Sequence, residues 1–250
     1  MNMSGKSVLV TGVSRRAGIG YAIVRRLQEA GASVFVQGWT PHDVEQAYAE
    51  PGGTEGVAHA LGVGHIEADF AEPDAPARVV AAARAALGAL DVLVVNHARG
   101  GGGGRLGETT AEELDAFLHE NVRASLLLVK EFAAQHESDS GRVVLMTSGA
   151  HREPMPSELA YAVSKGALLV ATATLADELA DRGITVNCVN PGPTDTGWGL
   201  ADVDPMRRMP AGRWGEPDDA ARIIAWLCTD DARWITGQVI DSEGGFRRWA

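Results

Sequence analysis

The chain of 250 residues is poor in cysteine, in positive charge and in aromatic rings. Its two cysteines, Cys188 and Cys228, form no CxxC and sit in no Cys/His cluster. That argues against a disulfide framework or a structural zinc site, and Cys188, inside an apolar run, reads as a small buried hydrophobe. Twenty-two Lys and Arg stand against 33 Asp and Glu, a formal net charge of −11. Without a basic excess the chain has no footprint for nucleic acid. No run approaches 18 apolar residues, and "MNMSGKSVLVTG" lacks the charged start and apolar core of a secretion signal. No membrane, nucleic-acid or metal partner is expected, and the cytoplasm is the expected compartment.

What is present is alternation. Short apolar runs at 7–12, 33–38, 64–69, 91–96, 141–148, 184–190 and 237–245 read as strands. Between them, helical patterns span about 18–30, 72–88, 111–135, 157–183 and 216–231. The runs are continuously apolar rather than alternating, so both faces of the sheet are covered. This order predicts an α/β fold: a Rossmann-type doubly wound parallel sheet of about seven strands with helices on both faces. No boundary or repeat divides residues 1–250, which are expected to form a single domain. The glycine tract at 100–104 reads as a flexible loop.

The first strand runs into "TGVSRRAGIG", residues 11–20. Glycines between a first strand and a first helix let the backbone approach a pyrophosphate seated on the helix N-terminus. The loop, Ser14 included, is therefore the candidate dinucleotide cradle. An NAD-preferring site carries an acid at the end of strand two. Here that point reads Gln37-Gly38-Trp39-Thr40, with no carboxylate until Asp43. Arg15 and Arg16 instead offer planar cations suited to a 2′-phosphate. NADP(H) is the preferred cofactor and NAD(H) the alternative, with Trp39 beside the adenosine.

The helix at 157–183 opens with Tyr161 and Lys165, four residues apart on one face. Together with "ADF" (68–70), "NHA" (96–98), "ENV" (120–122), "MTS" (146–148), "NPGPTDT" (190–196) and "GRWGEPDDAA" (212–221), the order and spacing resemble the short-chain dehydrogenase/reductase family from about residue 5 to 245. The closest look-alikes are 3-oxoacyl-(acyl-carrier-protein) reductases. The resemblance implies that Ser148, Tyr161, Lys165 and Asn121 form a catalytic tetrad, with Asn121 holding a water that links Lys165 to solvent. It places Gly12, Gly18, Ile19 and Gly20 at the cofactor's phosphates and ribose, and Asp69 with Phe70 at the adenine. Asn96 and Ala98 would lie behind the nicotinamide ribose; Pro191, Gly192, Thr194 and Thr196 would hold the carboxamide and diphosphate. Lys165 would also reach the ribose hydroxyls.

Three departures from the family pattern stand out. The glycine loop is two residues longer, a length shared with the related enoyl reductases, whose tyrosine and lysine lie farther apart. The usual Asn-Asn-Ala-Gly reads Asn96-His97-Ala98-Arg99, and the usual Asp-Gly-Gly reads Glu243-Gly244-Gly245. By resemblance the chain reduces a ketone to a secondary alcohol: a nearby cation lowers the pKa of the Tyr161 phenol, which gives its proton to the alkoxide while Ser148 holds the carbonyl. The alternatives are an NAD-linked alcohol dehydrogenase and a non-catalytic NADP(H) sensor. The substrate would be a small carbonyl or alcohol and the assembly a homotetramer or homodimer. His151 is a lesser candidate for the pocket wall. Residues 197–215, with Trp198, read as a lid, and Trp226, Leu227 and Trp234 as core.

Overall fold

The computed structural model describes residues 1–101, 104–197 and 205–249. Seven parallel strands form one sheet: β1 (Ser7–Thr11), β2 (Ser33–Gly38), β3 (Gly64–Glu67), β4 (Val92–Val95), β5 (Gly141–Met146), β6 (Ile184–Asn190) and β7 (Val239–Asp241). Their order is β3-β2-β1-β4-β5-β6-β7. The chain therefore winds outward from β1 in one direction and then returns to pair β4 on its other side. Residues past the carboxyl ends of β1 and β4 face a crevice that neither crossover covers, where ligands of such sheets bind.

Helices close both faces. On one side α1 (Ile19–Glu29), α3 (Gly53–Leu61) and α9 (Pro217–Leu227) pack Ile23, Leu27, Val57 and Ile224 against Val8, Val10 and Val94. On the other, α4 (Ala75–Leu87), α6 (Ala124–Gln135) and α7 (Leu159–Ala180) bring Val79, Leu128, Phe132 and Leu179 onto Leu9, Leu93 and Leu145. Central strands buried on both faces need no alternation, and β4 and β5 are buried throughout.

Two short helices lie in the stretch left unread between β2 and β3, α2 (Thr40–Glu45) and α3, and another, α8 (Pro205–Arg208), precedes α9. The expected helix at 111–135 is three pieces. After α5 (Ala111–Phe117), Leu118–Arg123 winds as a π-helix before α6 resumes. Helix α7 is 22 residues long with a mean hydropathy of 1.5, long and apolar enough to cross a membrane by length and composition. Here it lies along the sheet and buries Ser164, Lys165 and Thr172. Leu227 is buried and Trp226 packs on the same core. Trp234 departs from expectation: it is 94 % exposed, because it sits beyond the 3-10 turn Asp230–Ala232 rather than on α9. Both cysteines are buried and unpaired. Trp198, and with it residues 198–204 of the expected lid, lie outside the described residues.

Candidate active site

The cleft at the switch point is built outward from Thr11, the last residue of β1. Its hydroxyl accepts the backbone N–H groups of Asn96 (3.1 Å) and His97 (3.3 Å). The Asn96 amide answers by donating to the carbonyls of Thr11 and Gly12, each at 3.0 Å. On the far side, Gln37 accepts from Gly12 N (3.1 Å) and donates to Ala68 O (2.8 Å). The glycine turn is thus clamped from both neighbouring strands. A Cβ on Gly12, whose φ is +71°, would sit 2.6 Å from the His97 Cα; one on Gly20 would sit 2.7 Å from the Gly12 carbonyl. Only glycine fits either place.

Gly18 begins α1 without any side chain capping the helix's first N–H groups. Those donors, with the dipole behind them, are left for an anion. Gly12, Ser14, Arg15, Gly18, Ile19 and Gly20 all line the cleft. So do Trp39, Asp69, Phe70, Asn96 and Ala98, and from the opposite wall Tyr161 and Thr196. A dinucleotide fits this donor set: a glycine cradle, helix N–H groups without a side-chain cap, and Trp39 and Asp69 on the wall of the same cleft.

Arg15 spans the cleft. Its guanidinium lies 4.2 Å over the Tyr48 ring and donates to Thr196 O at 3.0 Å. Arg16 does not line the cleft; it pairs with Glu50 at 2.6 Å. Nor do Pro191, Gly192 and Thr194. They form the turn behind Thr196, where Gly192 N donates to Asn190 Oδ1 (3.1 Å) and the Thr194 hydroxyl reaches Gly192 O (3.1 Å). At Gly192, with φ +69°, a Cβ would meet the Glu243 Cα at 2.7 Å. Glu243 explains its own departure from the expected Asp. Its longer carboxylate reaches both Asn190 (2.6 Å) and Arg248, fastening the C-terminal residues beneath the turn.

The four expected catalytic residues converge on α7. Tyr161 faces the cleft with Phe117 edge-on at 6.4 Å. Ser148, just past β5, is near enough to the phenol to act on its pKa, and its Oγ accepts Ala150 N at 3.3 Å. Lys165 is 2 % exposed; its ammonium donates to Met146 O (3.1 Å) and stands 6.0 Å from the centre of the Tyr161 ring. Asn121 lies in the π segment, fully buried.

Lys165 is not among the groups that act on the phenol's pKa: burial pushes it above the ordinary tyrosine value, Glu158 adds to the rise, and only the Ser148 hydroxyl opposes it. Lys165 is turned to the strand carbonyl instead, and burial lowers its own pKa to about 8. The Asn121 side chain hydrogen-bonds protein groups. Its oxygen accepts Arg99 N (2.6 Å), and its amide donates to Arg99 O (3.0 Å) and Ser164 Oγ (2.9 Å). Ser164 passes the link to Tyr161 O at 2.8 Å.

His97 lies buried beneath this floor, its ring tilted against Phe70 with centroids 4.2 Å apart. One tautomer satisfies both its neighbours: Nε2–H donates to Glu120 O (3.0 Å) and Nδ1 accepts the Thr11 hydroxyl (2.8 Å). Burial, reinforced by the Lys165 charge, drives its pKa down to about 3, so the ring is neutral. Next to it Arg99 pairs with Glu120 at 2.8 Å, and both line the cleft. His151 turns away from the cleft, held by Ser148 O (3.1 Å) and Asp241 (3.4 Å).

A family model described as Enoyl-(Acyl carrier protein) reductase matches residues 12–247. An uncharacterized oxidoreductase, YjdA, of Bacillus subtilis is 39 % identical over 248 residues, covering 97 % of each chain. The chain belongs to the short-chain dehydrogenase/reductase family. Two solved members extend the likeness to three dimensions. A short chain dehydrogenase from Burkholderia cenocepacia, in complex with NADP, is 36 % identical with a TM-score of 0.83, covering 98 % of this chain and 99 % of its own. BdcA, in complex with NADPH, is 35 % identical with a TM-score of 0.83, covering 98 % and 95 %. As a member of this family the protein is an oxidoreductase acting between CH–OH and C=O groups. Two residues missed at the outset, Glu120 and Asp43, also line the short-chain dehydrogenase cleft. Glu120 opens the ENV stretch but was given no role there, Asp43 lies in no motif, and only the fold brings either to the cleft.

Proposed function

We propose that the protein is an NADP(H)-dependent ketone reductase in which Tyr161 is the proton donor. The observation that carries this reading is the Tyr161 phenol itself, on the cleft wall across from the glycine cradle and kept protonated by burial and by Glu158. A protonated phenol can give its proton to a developing alkoxide. Bound nicotinamide supplies the hydride. Ser148 hydrogen-bonds the carbonyl and holds it beside Tyr161. Lys165, charged below about pH 8, makes the floor positive where negative charge develops. Asn121 and Ser164 brace the first turn of α7 against the loop after β4.

For the cofactor, the NADP and NADPH complexes of the two solved relatives support the phosphorylated dinucleotide. Gly18, Gly20 and the first turn of α1 would take the diphosphate, Asp69 the adenine, and Arg15 with Arg16 the 2′-phosphate. We propose a homodimer or homotetramer working in the cytoplasm; two buried thiols left unpaired fit a reducing compartment. The substrate is a small carbonyl, a 3-oxoacyl thioester among the possibilities. An enoyl thioester is the second reading, favoured by the matching family model and the long glycine loop. A screen of NADPH consumption across β-keto thioesters, small ketones, keto sugars, quinones and enoyl thioesters separates them. Turnover of the enoyl compounds alone would overturn ketone reduction. Arg15→Ala with Arg16→Ala should raise KM for NADPH more than for NADH; equal effects would remove the 2′-phosphate assignment.

A further inference from the structure

A knot of arginines stands where the C-terminal residues, α8 and the turn after β5 come together, apart from the cofactor cleft. Three of them are held by acids. Arg152 pairs with Asp241 at 2.9 Å, Arg208 with Glu153 at 4.0 Å, and Arg248 with Glu243. The fourth, Arg247, is exposed and pairs with no acid among the described residues. Its backbone N–H donates to Arg208 O at 2.9 Å, which ties it to α8. One positive charge is left over here, in a chain whose formal net charge is −11.

Donors are left over as well. Arg152 spends one nitrogen on Asp241 and Arg248 one on Glu243. The Arg248 side chain is 10 % exposed, yet its Nε has no acceptor among the described residues. An inward nitrogen left bare is costly unless something supplies an acceptor. Arg152, Arg247 and Arg248 line one groove with Phe246 and Trp249. The Phe246 ring lies under two of the cations, its centre 5.4 Å from Arg248 and 5.8 Å from Arg208. Planar guanidinium forks over an apolar floor suit a phosphate, whose oxygens accept parallel N–H bonds with little screening.

The groove also adjoins the substrate end of the site. A Cβ on Gly149 would stand 3.3 Å from Arg248 Nη2, so that guanidinium packs on the residue following Ser148. An anion held there lies close to a carbonyl held by Ser148. The phosphate of a thioester carrier, at the far end of a pantetheine arm, would lie well beyond it.

We propose that this groove holds a phosphate borne by the ketone itself, a few bonds from its carbonyl, so that the substrate class is a short keto phosphate. This rests on the ketone-reductase reading above. Arg247 anchors the phosphate and takes no part in proton or hydride transfer.

The test compares kcat/KM for NADPH-dependent reduction of dihydroxyacetone and of xylulose, each with and without its phosphate. Acetoacetyl-CoA and acetoacetyl-N-acetylcysteamine serve as the carrier pair. Wild-type protein should prefer at least one keto phosphate over its parent by about tenfold or more, the worth of a charge-assisted hydrogen bond, and mainly through KM. Arg247→Ala should bring the phosphate's kcat/KM down towards that of the parent, and Arg247→Lys should restore part of the difference. No preference in wild type, a preference confined to the CoA pair, or a fall shared equally by phosphate and parent overturns the proposal. Calorimetric titration of inorganic phosphate into the NADP⁺-bound protein reads the groove without turnover. Binding that Arg247→Ala weakens supports the site; equal affinity in both proteins, or no binding, overturns it. Failure of every ketone to consume NADPH would overturn the ketone-reductase reading instead, while the phosphate titration still reports on the groove.

Discussion

Single side chains here are set more by what surrounds them than by their own chemistry. His97 stands where relatives of this family carry an asparagine. A neutral ring can replace an amide because Nε2–H and Nδ1 offer one donor and one acceptor, matched to Glu120 O and the Thr11 hydroxyl. The consequence is acid sensitivity. With a folded pKa of about 3 against an ordinary 6.5, the unfolded chain takes up a proton that the folded chain refuses. Stability from this site is whole above pH 6.5 and falls as pH drops towards 3, by up to about 1.4 kcal/mol per pH unit. Urea unfolding between pH 7 and pH 4 should show a shallower loss in His97→Asn than in wild type; parallel slopes would mean that another group carries the effect. Lys165 has the opposite window. Its folded pKa of about 8 lies below the ordinary 10.5, so kcat/KM for reduction should fall as pH rises through 8 and its ammonium is lost.

Elements that bury both faces were legible in the sequence, and elements that answer to distant partners were not. Strands β2 and β6 end where their apolar runs end, because nothing else on the chain competes for those residues. Helices α2 and α3 were missed since 39–63 mixes Pro41, Pro51 and several glycines with its apolar residues, which reads as loop. The π segment has no signature in hydrophobic spacing; it carries Asn121, which reaches Arg99 and Ser164 at once. The same holds within the site. The glycines, Tyr161 and Lys165 declare themselves by type and spacing, whereas Asp43 and the Glu243–Arg248 pair depend on contacts that only the fold makes. The C-terminal tail is one such element. Arg248 and Glu243 are 10 % and 8 % exposed, and removing one leaves the other charged and unpaired. Arg248→Met should cost about 3 kcal/mol in chemical denaturation, and adding Glu243→Gln should recover much of it. A double variant as unstable as the sum of the two singles would show that the pair is uncoupled.

Over the whole molecule, the sheet's switch point sets the cofactor cleft, and α7 sets the chemistry. That helix carries apolar residues outward as well as inward: Val163 and Val170 are 50 % and 71 % exposed, and Leu118 nearby is 36 % exposed. Such a face suits a second copy of the chain, so sedimentation should report a multiple of the 26.3 kDa protomer, and Val170→Glu should shift it towards one. On its inner face the same helix presents Tyr161 to the cleft, and the account stands or falls with that phenol. The most direct measurement is Tyr161→Phe, assayed together for NADPH affinity and for reduction of the best substrate from the screen. The account predicts an unchanged dissociation constant and a turnover reduced by about 10²–10⁴-fold. Turnover near that of wild type, with cofactor binding intact, would contradict it.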